Sequence, residues 1–357
     1  MKLVSPFETS FGKTIDRPCI LVRVKSEGIE GWGEVVAGEG PWYSYETVDT
    51  AWYILENFAI PLILGKELSK PSEVNVLLSR IRGHPMAKAG LEMAVWDLYA
   101  KSIKKPLYRV LGGVRTKIES GVSIGIQKDI DTLIKIIGKY LEEGYRRIKI
   151  KIKPEWDVNV LKRVREEYPE IPLQVDANAA YSLEDLPLLK QLDNYNLLMI
   201  EQPLAYDDLV DHAELQRVLK TPICLDESIT SISDVKCAIK LGSCKVINIK
   251  PGRVGGHYNS LQIHNLCAMN RIANWIGGML ETGVGRAHLV ALATLPNVKY
   301  PNDISASKRY YEEDIVEPPF EINKDGTMNV PRDHGIGVEV LEDKIRKYIK
   351  KTKTFKE

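Results

Sequence analysis

Several protein classes are excluded by what this chain lacks. Its five cysteines, Cys19, Cys224, Cys237, Cys244 and Cys267, are odd in number and form no CxxC pair, which argues against a disulfide framework. Cys224 and Cys244 lie in or beside apolar strand-like runs, so buried free thiols in a reducing cytosol are the expectation. The start, MKLVSPFETS, has no secretory hydrophobic region. The most apolar early run, Trp52 to Gly65, is broken by Glu56 and Pro61 and is too short to cross a bilayer. A soluble, cytoplasmic protein follows. Neither charge sign is in excess: 49 Lys and Arg stand against 48 Asp and Glu, for a formal net charge of +1. That excludes a general polyanion-binding surface, and with it nucleic acid as a partner, while leaving room for a locally charged pocket. Gly252-Arg253-Val254-Gly255-Gly256 fits neither the GxxxxGKS/T nor the GxGxxG phosphate-binding pattern and reads as a tight turn into a helix.

What is present is an ordinary globular composition, 44% hydrophobic and 27% charged, over 357 residues, enough for one large domain or two. Residues 18–25 and 31–36 read as strands joined at Glu27-Gly28, followed by helical patterns, the clearest from Met86 to Lys101. Leu111-Gly112-Gly113 ends that segment, so residues 1–115 form an α+β unit. From Ile118 the pattern changes. Strand-like runs at 118–124, 146–152, 171–175, 197–200, 222–225, 245–249 and 272–276 alternate with helical stretches such as Asp129 to Glu143 and Asp157 to Glu167. Alternation of this count predicts a (β/α) barrel over residues 116–315, with an irregular eighth strand near 297–303. The tail, 316–357, adds no further unit and is expected to fold back onto the N-terminal domain.

Three acids, Asp176, Glu201 and Asp226, stand at equal intervals of 25 residues, each at the end of a short apolar run. Strands of a parallel sheet are buried on both faces, so an acid belongs at a strand end. In a barrel the carboxyl ends of the strands carry the chemistry. Three neighbouring carboxylates repel one another unless a cation neutralises them, and hard oxygen donors suit Mg²⁺ or Mn²⁺. Lysines flank the acids. In Lys149-Ile150-Lys151-Ile152-Lys153 alternation puts the isoleucines on one face and the lysines on the other. The outer face of a barrel strand packs on helices, so Lys149 and Lys151 point inward, where a charge is costly unless paired or functional. Lys250 ends the sixth strand, 24 residues after Asp226, across the barrel mouth from the second. A bound dication that takes a substrate carboxylate as ligand stabilises the enediolate formed when the adjacent carbon loses its proton. A lysine base must be neutral to accept that proton, and a like charge next door with partial desolvation lowers its pKa. Lys149 beside Lys151 supplies that tuning.

At these residues the chain resembles the enolase superfamily, and within it the muconate-lactonising-enzyme subgroup. The likeness spans nearly the whole chain: Gly31-Trp32-Gly33-Glu34, the helix from Gly90 to Leu98, Pro106-Leu107, Leu111-Gly112-Gly113, Lys149-Ile150-Lys151, Asp176-Ala177-Asn178, Glu201-Gln202-Pro203, Asp226-Glu227-Ser228 and Lys250-Pro251-Gly252-Arg253-Val254-Gly255-Gly256. A lysine or histidine base with one or two Mg²⁺ ions is that superfamily's pattern. Pro6-Phe7, Thr9-Ser10-Phe11-Gly12, Gly121-Val122-Ser123, Gly277 to Gly283, Asp303 and Ser305-Ala306-Ser307 are similar to the o-succinylbenzoate synthase and N-acylamino acid racemase family. The resemblance implies a modified TIM barrel, (β/α)₇β, with an α+β capping domain. It implies Asp176, Glu201 and Asp226 as ligands of Mg²⁺, Mn²⁺ or another divalent metal. Lys151 and Lys250 become an acid/base pair, with Lys149 supporting Lys151. Ser123, Asn178, Gly278, Met279 and Leu280 line the substrate pocket, and Ser10 to Gly12 close it. A homo-oligomer is a further family expectation.

Departures narrow the choice. Asp303 stands in Asn302-Asp303-Ile304-Ser305 without the second aspartate that dipeptide epimerases carry there, and Lys250 stands where mandelate-racemase types use an Asp–His pair. His257 reads as a helix-start residue. Glu227 is expected to turn away from the site or stand behind it, and Trp32, Trp42 and Tyr43 to pack in the core or wall a pocket. The expected reaction is metal-dependent removal of the proton α to a carboxylate: o-succinylbenzoate synthase first, N-succinylamino acid racemase as the alternative. A catalytically inactive metal-binding barrel is the non-enzyme alternative, disfavoured because no structural need calls for two inward lysines beside three acids.

Overall fold

Two antiparallel hairpins open the chain: β1 (Lys2–Thr9) with β2 (Gly12–Asp16), and β3 (Ile20–Ser26) with β4 (Ile29–Val35). The computed structural model describes every residue, Met1–Glu357. The two-residue turn between β3 and β4 places Glu27 at φ 49° and Gly28 at φ 78°, left-handed conformations whose twist matches that of the ribbon. Only this second hairpin was legible as strands; the first lacks a regular apolar alternation and is largely exposed. The helix Pro85–Ser102 lies directly on β4. Glycine makes the contact possible: a Cβ at Gly33 would run into the backbone of Gly90 and Ala94, and one at Gly31 into Ala94 and Leu98.

After β5 (Lys117–Glu119) comes a seven-stranded parallel sheet, with β6 (Gly121–Ile124), β7 (Arg147–Lys151), β8 (Leu173–Asp176), β9 (Ile200–Glu201), β10 (Ile223–Leu225), β11 (Val246–Ile249) and β12 (Ala273–Ile276) in chain order. The run expected as one strand over 118–124 is thus broken at Ser120. Parallel neighbours need long crossovers, and helices such as Ile130–Glu142 and Val158–Glu167 provide them. The first is started by Asp129, whose carboxylate accepts from the Thr132 amide at 2.7 Å, and it buries Leu133, Ile134, Ile137 and Tyr140.

The eighth strand is not a regular one. Val298 and Asn302 make only isolated bridges, to Asn274 of β12 and to Ser120. The segment still closes the ring, because Asp303 N donates to Ile276 O at 3.0 Å on one side and Gly121 N to Asn302 O at 2.7 Å on the other. Ile148, Ile150, Val175, Ile200, Leu225, Ile247 and Ile276 face outward into the main core under the helices. Met199, Cys224, Val246 and Trp275 form a separate cluster inside the ring. That inner plug is the floor on which the polar residues stand.

The tail holds β13 (Val316–Glu317), β14 (Thr327–Asn329) and β15 (Glu339–Val340). It does return to the N-terminal unit: Ile336 N donates to Asp97 at 2.7 Å, Arg23 pairs with Glu342 at 2.6 Å, and Lys351 lies 4.4 Å from the Trp52 ring. It also pairs β14 with β5, so it straps the two units together. No helix is long and apolar enough to cross a membrane.

Buried glutamates of the cap plug into the N-termini of barrel helices. Glu34 accepts from Thr282 Oγ1 at 2.6 Å and Gly285 N at 3.0 Å, at the start of the helix Gly283–Ala293. Glu92 accepts from the amides of His257 and Tyr258, each at 2.8 Å, at the start of the helix His257–Met269. Helix N-termini favour negative charge. Burial nonetheless outweighs these bonds and pushes both carboxyls up to about 7.

Two outcomes follow. Gly33→Ala should lower stability by about 1–3 kcal/mol through overpacking against the helix; an unchanged urea midpoint would refute the close approach. For Glu92, the folded value lies above the ordinary carboxylate value of ~4.3. Its contribution is therefore complete below about pH 4 and is lost as pH rises through about 7. Glu92→Gln should flatten the decline of Tm between roughly pH 5 and 8, and parallel Tm–pH curves for the two proteins would reject this assignment.

Candidate active site

Side-chain alternation decides what enters the barrel mouth. Along β7, Ile148 and Ile150 face the helices, so Arg147, Lys149 and Lys151 form an inward column. The register pairs Lys151 with Asp176 and Asp176 with Glu201, and Cys224 lies beside Glu201. Asp176 and Glu201 end their strands and Asp226 follows β10 directly, so the three acids stand side by side on one rim, each at most 1% exposed.

The amines are threaded among them. Lys149 Nζ lies 2.8 Å from Glu201 Oε2, 3.1 Å from Asp176 Oδ2 and 2.6 Å from Asp303 Oδ2. Lys151 Nζ donates to Asp176 Oδ2 and Asn178 Oδ1, both at 2.6 Å. Across the mouth, Lys250 Nζ donates to Asp226 Oδ2 at 2.8 Å and to Tyr43 Oη at 3.0 Å. Arg253 reaches the same two partners, Asp226 Oδ1 and Tyr43 Oη. Asn248 Nδ2 bridges Glu201 Oε1 at 2.8 Å and Asp226 Oδ1 at 3.1 Å.

The electrostatics split the acids. Burial works against every charge here, yet Lys151 and Lys149 hold the Asp176 carboxyl down to about 2. Arg253 and Lys250 hold Asp226 well below the carboxylate range. Glu201 goes the other way: burial, with Asp176 and Asp226 repelling it, pushes it up to about 7. Burial opposes the charge of Lys149 and Lys250 too, but the surrounding acids outweigh it and raise both, so each stands as an ammonium.

The donor set has the chemistry of a hard-cation site, three buried carboxylates on neighbouring strands. Burial first, and then repulsion from Asp176 and Asp226 that Lys149 and Lys250 only partly offset, disfavour the charged form of Glu201, and a divalent ion would favour it. The side chains do not converge on a single point as they stand, since no three His, Cys, Asp or Glu groups share one centre. Lys149 and Asn248 stand between the carboxylates instead and bridge them pairwise.

Of the residues expected to line a pocket, Ser123 is paired in register with Lys149, and its Oγ is buried without a partner. Asn178 touches Lys151 through Oδ1 and Glu227 through Nδ2 at 2.7 Å, while its carbonyl accepts from Ser10 Oγ at 3.1 Å. The hairpin tip Ser10 to Gly12 therefore does reach the mouth. Gly278, Met279 and Leu280 form the half-buried loop after β12, where cap and barrel meet. Arg17 donates to the Met279 carbonyl at 3.1 Å and Tyr311 to that of Leu280 at 2.6 Å, and the backbone of Gly278 abuts that of Asp303.

Four further residues belong to the cluster. Glu227 does not turn away; it is buried against Asn178, and burial together with Asp226 and Asp176 pushes its carboxyl up to about 8. Tyr43 packs against the edge of the cap core, and its ring also lies 4.7 Å from Lys250 Nζ and 6.2 Å from Phe11 at the hairpin tip. Trp42 beside it is 73% exposed, so neighbours in one cap loop have opposite fates. Arg147 and Asp303 join beneath Lys149 at 2.6 Å. The alternation that singled out Lys149 and Lys151 extends one step back to Arg147 and was the available signal; Asp303 was marked only by the family resemblance and Tyr43 only as one of three aromatics that could wall a pocket. His257 starts its helix as expected, paired with His288 at 2.8 Å.

Comparison with known proteins bears on the family. Residues 1–112 match the family "Mandelate racemase / muconate lactonizing enzyme, N-terminal domain", and residues 133–344 match "Enolase C-terminal domain-like". The chain is 52% identical over 356 residues to the o-succinylbenzoate synthase of Geobacillus kaustophilus, covering 99% of this chain and 95% of that protein. It is 54% identical over 334 residues to the N-succinylamino acid racemase of Thermus thermophilus, covering 94% and 90% respectively. A crystal structure of an enolase superfamily member from Listeria innocua superposes with a TM-score of 0.94 at 45% identity, covering 99% of this chain and 95% of that one. With a capping unit, a closed parallel barrel and matches over both, the chain belongs to the mandelate racemase/muconate lactonizing enzyme family of the enolase superfamily.

Proposed function

We propose that the protein is an o-succinylbenzoate synthase, which dehydrates 2-succinyl-6-hydroxy-2,4-cyclohexadiene-1-carboxylate. The observation that carries this reading is the placement of two amines on opposite sides of one carboxylate rim, Lys151 against Asp176 and Lys250 against Asp226. The identity to relatives named for that reaction supports it. Enzymes of this family depend on divalent metal in general. Asp176, Glu201 and Asp226 would hold Mg²⁺ or Mn²⁺, which when bound draws electrons from a substrate carboxylate and makes its α-proton removable. Lys151 takes that proton onto Nζ, then returns it to the departing hydroxyl on the same face, so that water leaves and a carbon–carbon double bond forms. Lys250 stabilises the negative charge gathering on the substrate carboxylate. Ser123, Asn178, Gly278, Met279 and Leu280 surround the substrate, and the hairpin tip at Ser10 to Gly12 excludes water.

A second reading rests on the same two amines and on the relative named as an N-succinylamino acid racemase. Lys151 removes the α-proton from one face and Lys250 supplies one to the other. Both lysines then exchange protons with the substrate, whereas in the dehydration only Lys151 does.

Three measurements test these assignments. Side-by-side kinetics on the cyclohexadiene hydroxy acid and on N-succinyl amino acids should give Mg²⁺-dependent turnover with the first. Lys151→Ala should lose about 10²–10⁴-fold on either substrate, whereas Lys250→Ala should abolish racemisation; full racemase activity without Lys250 would reject the two-base arrangement. Exhaustive treatment with EDTA should stop turnover, and Mg²⁺ or Mn²⁺ should restore it. Turnover that survives complete metal removal would end the ligand assignment, and failure both to turn over the cyclohexadiene hydroxy acid and to exchange the α-proton of an N-succinyl amino acid in D₂O with Mg²⁺ present would favour an inactive metal-binding barrel.

A further inference from the structure

Beneath the amines lies a buried pair that the mechanism above does not use. Arg147 begins the inward column of β7, and its side chain is wholly buried. Its guanidinium donates to Asp303 Oδ1 at 2.6 Å and to the Pro301 carbonyl at 2.9 Å, and it lies 5.1 Å from the Trp275 ring. Gly121 on β6 makes room for it, since a Cβ there would strike the guanidinium. The other oxygen of Asp303 lies 2.6 Å from Lys149 Nζ, and that ammonium stands 4.9 Å from the same indole ring. Asp303 is therefore clamped between two cations two residues apart on one strand, with Trp275 closing the side.

The arrangement bears on where Lys149 stands. Its ammonium has three donors and three carboxylate neighbours, Asp176, Glu201 and Asp303. Two of those belong to the proposed metal set, and only Asp303 is free of that duty. Asp176 Oδ2 is also shared: it accepts from Lys149 at 3.1 Å and from Lys151 at 2.6 Å. A Lys149 released from Asp303 would lean on that shared oxygen and shift Lys151. Lys250 touches none of these groups; its partners are Asp226 and Tyr43.

We propose that Asp303 and Arg147 are positioning residues for one face of the reaction, anchoring Lys149 so that Lys151, and not Lys250, stands in its working place. This rests on the proton-abstraction reading above. A general structural role would affect both faces alike, whereas this one is face-selective.

The test is α-proton exchange of each enantiomer of an N-succinyl amino acid in D₂O with Mg²⁺. Lys151→Ala and Lys250→Ala first identify which enantiomer each lysine serves. Asp303→Asn should then slow exchange on the Lys151 face by about 10–100-fold, the order that a misplacement of about 1 Å produces. Exchange on the Lys250 face and Mg²⁺ affinity by titration calorimetry should stay within about threefold, a margin small against that misplacement effect. Asp303→Glu should restore part of the loss. Arg147→Lys keeps the charge but loses the second N–H grip, and should give the same selectivity more weakly; it also decides the matter should Asp303→Asn fail to fold. Equal slowing on both faces, or none, overturns the proposal. A wild-type protein that exchanges neither enantiomer has no second face to spare and overturns the proposal; the abstraction reading itself falls only if that protein also fails to dehydrate the cyclohexadiene hydroxy acid.

Discussion

Charge buried inside the barrel is the constraint from which the rest of the site follows. Arg147, Lys149, Lys151, Lys250 and Arg253 are interleaved with Asp176, Glu201, Asp226, Glu227 and Asp303, all inside the ring or at its mouth and all under a tenth exposed. An unpaired charge in such a place is untenable, and removing one partner of a buried pair is far worse than never having built it. Each inward side chain is thus fixed by the others. The pairing also explains why the apolar plug of Met199, Cys224, Val246 and Trp275 lies at the floor, below the charges. It closes the barrel where no chemistry is needed and supplies the indole face against which Arg147 and Lys149 lie.

The cap is bound to this barrel by polar contacts as much as by apolar packing. Glu34 and Glu92 seat at the starts of two barrel helices, and Arg17 reaches the carbonyl of Met279 beyond β12. These contacts set the depth at which the cap sits, and that depth brings Tyr43 into hydrogen-bonding range of Lys250, Arg253 and Asp226. A cap residue is in this way part of the electrostatic environment of one amine but not of the other. Lys151 is bounded by barrel groups, Asp176 and Asn178, with the cap reaching it only through Ser10 on the Asn178 carbonyl.

The barrel and its rim were legible because strong periodicities wrote them. Alternation in Arg147 to Lys151 separates the isoleucine face from the charged one, and acids that end apolar runs 25 residues apart have one place to stand in a parallel ring. Arg147 was harder to read because Arg146 precedes it. Of two adjacent arginines only one faces inward, while the other turns to the carbonyl of Asp325 at the surface. Asp303 lies on a segment held by isolated bridges, so no alternation marks the direction of its side chain. Tyr43 reaches the mouth only through the docking of two units, which no local pattern encodes. The first hairpin escaped for a simpler reason: a strand pair with little buried surface carries little apolar signal.

The asymmetry between the two amines links the geometry to the choice of reaction. Dehydration and racemisation begin with the same event, loss of a proton next to a carboxylate, and differ in what the opposite amine does afterwards. In the proposed dehydration Lys250 would need only to remain charged. Its close pairing with Asp226 and the hydroxyl of Tyr43 favours that state, and burial does not reverse it. In the proposed racemisation Lys250 would also give up and regain a proton, a step that its ties to Asp226 and Tyr43 oppose. On the proposed assignments, the hydrogen bonds that Asp226 and Tyr43 make to Lys250 are the contacts in which the two amines differ, since Lys151 has Asp176 and Asn178 in their place.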